Sequence, residues 1–242
     1  MPVQSAQPDF SNSILFAALC LCFNPDEKSL TASQLISRGF APSIELSQYY
    51  LAKLIDSGKI DTQLSLKYQQ HLHTQISKKE LDILRPSIST STLNQEIVRS
   101  VQQARAYALE SPEKLAEKNR MVLEVLAGEC IEYSQFYGVI NNLKIKNSDP
   151  FNPRLHLLLI EISLSQVFML IWRSLKEFNR KNIKNRTVDF SELMEESYEF
   201  YMFYTRRNLE IPHYNRPKSL RTSKVAGILL SDITAEKTRE NS

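Results

Sequence analysis

Residues 30–60, LTASQLISRGFAPSIELSQYYLAKLIDSGKI, decide how the N-terminal part of this chain is read. Thr31 stands where a helix N-cap belongs, ahead of Leu35 and Ile36. Gly39 supplies a turn, because a residue without Cβ takes positive φ at little cost. Pro42 suits the first turn of a second helix. The apolar positions Leu51, Leu54 and Ile55 carry that helix to Gly58, a helix-ending glycine. A short helix, a glycine turn and a longer helix form the layout that presents a recognition helix to the DNA major groove.

Around this stretch the composition points to helices. The chain has 242 residues, of which 42% are hydrophobic and 24% charged, ordinary values for a globular protein. Only 5 glycines are present, too few to build phosphate-cradling loops or many tight hairpins. Leu, Ile, Glu, Lys and Gln dominate, and these favour helices. The expected fold class is all-α, with an N-terminal three-helix, helix-turn-helix or winged-helix-like unit followed by a helical bundle. Its first helix is expected over 13–23, capped within Ser11–Asn12–Ser13. Residues 60–76 show some strand-like alternation at Leu64, Leu66 and Tyr68. They also show helical spacing at Leu64, Tyr68, Leu72 and Ile76, with no glycine for a hairpin, so a helix is preferred to a wing.

Proline, serine and asparagine divide the remainder. Arg85-Pro86-Ser87-Ile88-Ser89-Thr90-Ser91 reads as a boundary. It gives a disordered lead-in at 1–10, an N-terminal domain at 11–85, a bundle at 92–235 and a frayed tail at 236–242. Helices are expected over 92–110, from Ser111-Pro112 to 142, over 154–182, from Thr187 or Asp189 to 208, and over 220–233. In the third of these, Leu157, Ile160, Leu164, Phe168, Ile171, Leu175 and Phe178 recur at helical steps, so this helix is expected to be the bundle's centre. Glu161 is its candidate buried carboxylate.

The charge distribution separates two functional readings. The net charge is +3, too small to imply a polyanion partner by itself. Residues 1–60 carry four bases against five acids, residues 61–150 balance at eleven each, and residues 151–242 carry fifteen bases against eleven acids. The excess lies far along the chain from the candidate recognition helix, which argues against a simple repressor. It gathers behind an aromatic row, Tyr198, Phe200, Tyr201, Phe203 and Tyr204. There Arg206, Arg207, Arg216, Lys218, Arg221 and Lys224 form a candidate surface for an anionic partner. Arg173, Lys176, Arg180, Lys181, Lys184 and Arg186 would add to it if the fold gathers them.

On the helix-turn-helix reading, Ser43, Glu45, Ser47, Gln48 and Tyr49 line the exposed side of the second helix. Gln48 suits an adenine edge, Ser43 and Tyr49 suit phosphate, and Lys53 supplies the cation. No arginine lies between Ala41 and Gly58, although arginine to guanine is the commonest specific contact. The outline of residues 12–60 resembles two groups of regulators. Its ending, LAKLIDSGKI, is similar to winged-helix regulators, and the helical remainder is similar to TetR-type regulators. The resemblance implies double-stranded DNA as partner, and a homodimer built on the helical domain.

Other chemistry is excluded motif by motif. No nucleophile elbow, P-loop, zincin or dinucleotide fingerprint occurs. His71, His73, His156 and His213 have no zinc spacing with each other or with Cys20, Cys22 and Cys130, so no metal and no cofactor is expected. The cysteines read as small buried hydrophobes of a reducing compartment. The apolar run Ile14–Phe23 lacks the basic flank of a signal peptide and is too short to span a bilayer. The expectation is a cytoplasmic, non-enzymatic helical adaptor or assembly component that binds another protein. The alternative is a DNA-binding transcriptional regulator.

Overall fold

A computed structural model of the chain describes residues 9–24, 27, 29–57, 82–84, 93–181 and 187–230. The fold is mostly helical, of the all-α class, with two short two-stranded ladders among the described residues. It divides into two compact units, one of residues 1–122 and 222–242, the other of residues 123–221. The residue 60–76 question, His71 and His73, the 85–91 break and the tail all lie outside the described residues.

In the first unit, α1 (Phe10–Cys20) starts earlier than its serine cluster suggests. The cap is Asp9, whose carboxylate accepts the Ser11 N–H at 2.9 Å. The helix is buried on most sides, through Phe10, Ile14, Leu15, Ala17, Ala18 and Leu19. β1 (Ser29–Thr31) follows, then α2 (Ala32–Ser37), opened by a capping box between Thr31 and Gln34. Gly39, at φ 73°, makes the turn. Ser43 then caps α3 (Ile44–Asp56) by accepting the Leu46 N–H at 3.1 Å. β2 (Asp82–Leu84) runs antiparallel to β1, with Leu30 opposite Ile83.

α4 (Leu93–Ala108) packs on α1 more extensively than any other described pair of elements pack together. Its buried stripe, Ser100, Ala104 and Ala108, repeats every four residues and is small, so the two helix axes can approach closely. The chain returns at its far end. A helical stretch over 224–230, here α9, donates the Lys224 and Val225 N–H groups to the carbonyls of Gly39 and Phe40 at 2.7 and 3.1 Å. The expected boundary at 85–91 is therefore not where the compact units divide. α4 and α9 both belong with the N-terminal helices, joined to them by packing and backbone bonds that local sequence does not encode.

Arg38 fastens the end of α2 to the end of α1. It holds Glu27 through two bonds of 2.6 Å and the Cys22 carbonyl at 2.7 Å. Those bonds, with the Asn24 N–H, hold the Glu27 carboxyl down at about 2, against an ordinary 4.5. A depressed folded pKa contributes stability above the unfolded value, and that contribution is lost as pH falls through the folded one. Glu27→Gln is therefore expected to be less stable than wild type at neutral pH. The gap should narrow below pH 4.5 and close near pH 2, as followed by far-ultraviolet circular dichroism during urea unfolding.

The second unit holds the C-terminal part of α5 (Pro112–Ile140), β3 (Lys144–Lys146), α6 (Pro153–Glu161), α7 (Leu164–Arg180), β4 (Thr187–Asp189) and α8 (Phe190–Arg206). β3 and β4 pair in parallel, Ile145 opposite Val188. A parallel pair needs a long crossover, and α6 and α7 lie within it. α7 and α8 pack along each other, and Phe168, Ile171, Leu175, Phe190, Leu193 and Met194 fill the core between α5 and β4. Among the described residues of this unit, Asn142, Asn147 and Asn208 take left-handed turns, at φ 51–56°. Asparagine tolerates that region better than other side chains do.

The expected helix over 154–182 is two helices. Ile162 is extended, at φ −137° and ψ 165°, and Ser163 restarts the chain by pairing with Gln166, whose Oε1 accepts the Ser163 N–H at 3.1 Å. Glu161 ends α6 on the surface and is not buried. Cys20, Cys22 and Cys130 are buried inside the fold and not joined in disulfides. No described helix is long and apolar enough to cross a membrane.

Candidate interaction surfaces

α3 sorts the candidate DNA contacts by helical phase. Ser47 lies four residues before Leu51 and seven before Leu54, on the face that packs inward, and it is fully buried. Ser43 is buried too, its hydroxyl engaged by Leu46. Neither is available to a phosphate, contrary to the sequence expectation. Gln48 is half-buried, and Tyr49 stays accessible at 38% exposure. Lys53 is half-buried and lies close enough to Asp9 and Glu117 to act on both carboxyls. The outward residues of α3 are thus Ile44, 52% exposed, with Tyr49 and Asp56, while Glu45 is half-buried beside them.

The six bases of the candidate anionic-partner surface do not form one patch. Arg216 turns inward and pairs with Glu129, which is only 3% exposed, and with Glu132. It also donates to the Arg221 carbonyl at 2.8 Å, closing the loop that carries both. Burial pushes Glu132 up to about 7 and lowers Arg216. Lys218 and Arg221 are exposed on the same loop. Lys224 belongs to the other compact unit.

Arg206 and Arg207 instead meet a residue from the upstream basic cluster. Arg173, on α7, lies over the Phe200 ring of α8 at 4.6 Å and donates to the Tyr204 hydroxyl at 2.7 Å. Arg207 covers Phe203 at 4.4 Å. Arg173, Glu199, Phe200, Phe203, Arg206 and Arg207 line a cleft of about 460 Å³. It carries three guanidiniums against one carboxylate. Among the described residues neither Arg206 nor Arg207 is in an ion pair. The aromatic row is therefore divided in role. Tyr198, Phe200, Tyr201 and Tyr204 pack partly against the core, while Phe203 stays exposed as a platform under guanidinium. Elsewhere in the upstream cluster, Arg180 and Lys181 pair with Glu177 and Glu196, Lys176 lies over Trp172, and Lys184 and Arg186 fall outside the described residues.

Ser165 and His213 are hydrogen-bonded at 2.7 Å on the surface. Among the described residues no carboxylate orients that imidazole, and no group of three or more metal-ligating side chains is present. The cleft's arginines were legible as a basic run, whereas their partner Arg173 lay more than thirty residues upstream. The sequence offered it as one of a second basic cluster, without showing which of those six would reach the cleft. Compared with protein-family models, with curated proteins and with solved structures, the chain matches none.

Proposed function

We propose that this chain is a non-enzymatic helical adaptor or assembly component that acts by binding another protein. The observation that carries the reading is the outward face of α3. It offers Ile44 and Tyr49 with acidic Glu45 and Asp56 nearby, and Lys53 is its one cation, already beside two carboxylates. Aromatic and aliphatic anchors on an exposed helix suit a protein interface. Phosphate affinity needs several cations together. The Arg173–Arg206–Arg207 cleft supplies a second contact, suited to acidic side chains of the same or another partner.

One observation favours the alternative, a DNA-binding regulator. The strand preceding α2 pairs antiparallel with a strand farther along the chain than α3, as the first strand of a winged-helix unit pairs with its wing. α3 would then be the recognition helix, with Gln48 and Tyr49 at base edges or phosphates. Titration of random double-stranded DNA at rising salt separates the readings. The adaptor reading expects no binding even at low salt. Binding that weakens steeply with salt and is reduced by Gln48→Ala and Lys53→Glu would replace it with the regulator.

A further inference from the structure

The cleft between α7 and α8 gathers more cations than one acidic side chain needs. Arg173 comes from α7, and Arg206 and Arg207 stand at the end of α8. Arg206, Arg207 and Phe203 are exposed, and Arg173 is half-buried. Two of the guanidiniums are positioned by the rings that share the cleft, Arg173 over Phe200 at 4.6 Å and Arg207 over Phe203 at 4.4 Å. Arg173 is further fixed by its bond to the Tyr204 hydroxyl at 2.7 Å. A carboxylate has one charge and two oxygens, which a single guanidinium satisfies through a bidentate pair. A phosphomonoester carries about two negative charges at pH 7 and three acceptor oxygens. Three guanidiniums facing one carboxylate, Glu199, leave a positive excess that matches the phosphate.

The surface leading to the cleft favours a compact anion over an extended one. Glu192, Glu195 and Glu199 are exposed on α8 and fall, at three- and four-residue steps, on the same face as Phe203 and Arg206. An anionic bilayer or a nucleic-acid backbone spreads its charge and would meet this acidic row together with the arginines. A single phosphate at Arg206 does not. Glu195 lies about 16 Å from Arg206 along the helix axis, beyond the screening length of about 8 Å at physiological salt, and it is already paired with Arg154. A base seeking a stacking partner would find a guanidinium over each ring of the cleft.

We propose that this cleft binds a phosphorylated side chain of a partner protein, its phosphate held among Arg173, Arg206 and Arg207 and its carrier chain passing over Phe203. Arginine clusters recognise phosphorylated motifs in this way, through charge-assisted bonds to the phosphate oxygens. Glu199 opposes any anion in the cleft, so its charge tempers the affinity. The proposal rests on the adaptor reading, because it requires a protein partner, and it makes phosphorylation of that partner the switch for the second contact. The cleft lies wholly within the unit of residues 123–221.

The test uses the full chain and pools of nine-residue peptides, degenerate except for a central phosphoserine, phosphothreonine or phosphotyrosine. Each pool has an unphosphorylated counterpart, and a further pool carries a central glutamate. By fluorescence anisotropy at physiological salt, at least one phosphorylated pool is expected to bind at least tenfold more tightly than its counterpart and than the glutamate pool. Arg206→Gln/Arg207→Gln is expected to erase that preference, and Glu199→Gln to tighten binding severalfold. All three side chains are exposed, so both variants should keep the circular dichroism of wild type. No preference for phosphate, a preference that survives in the double variant, or a glutamate pool that binds as tightly would overturn the proposal. So would a single-stranded oligonucleotide or phosphatidylserine vesicles bound more tightly than every pool and released by the same variant, because the occupant would then be nucleic acid or a bilayer. Failure of the pools while partner capture still depends on Ile44 and Tyr49 would remove the phosphate site and leave the adaptor reading standing.

Discussion

Arg216→Met is expected to destabilise the unit of residues 123–221 by about 3–5 kcal/mol, the usual cost of stripping one partner from a buried ion pair. Glu129 is almost fully buried and faces that guanidinium, so its charge would be left without compensation. The loss should exceed that of the conservative Arg216→Lys, which keeps a charge but not the fork that reaches Glu129, Glu132 and the Arg221 carbonyl together. Arg216→Met with Glu129→Gln should recover much of it, because the orphaned charge goes with its partner. Trp172 is the single tryptophan of the chain and lies in this unit, its ring 5.1 Å from Tyr214 on the same loop. Its emission during urea unfolding reports the unit directly.

Phe168→Ala should cost about 3–5 kcal/mol, the range for removing a buried aromatic side chain. Phe168 is buried on α7 and stacks on Tyr133 of α5, ring centroids 4.3 Å apart and nearly parallel. The vacated space borders rigid helices on both sides and cannot collapse easily. Phe168→Leu keeps most of the volume and should cost far less, about 1.5 kcal/mol or below. Equal losses for the two substitutions would show that the site is not close-packed. The same Trp172 emission reads both, since the mutated residue and the reporter share α7.

How far the fold was legible depended on the distance over which each signal acts. Pro112 at the start of α5, Asp189 as the cap of α8 and the helical content are local features, and the sequence carried them. The break between α6 and α7 was missed because Ser163 and Gln166 sit inside an apolar run with no glycine or proline, where periodicity outweighs a two-residue cap. The burial of Ser47 could have been found, since it falls in phase with Leu51 and Leu54. Nothing local tells that Arg216 reaches back 84 residues to Glu132, or that α9 bonds to the turn at Gly39 and Phe40. The candidate surfaces share that limit. The bases at 206 and 207 were visible, while the cleft exists only once distant helices meet.

The central claim is that the outward face of α3 binds protein. The most direct measurement compares the proteins retained from lysate of the native cell by the immobilised wild-type chain with those retained by Ile44→Asp/Tyr49→Ala. Both side chains are exposed, so the variant should fold with unchanged circular dichroism. The account predicts a protein held by wild type, insensitive to nuclease, and lost from the variant. Identical protein sets on both, or retention that nuclease abolishes, would contradict it.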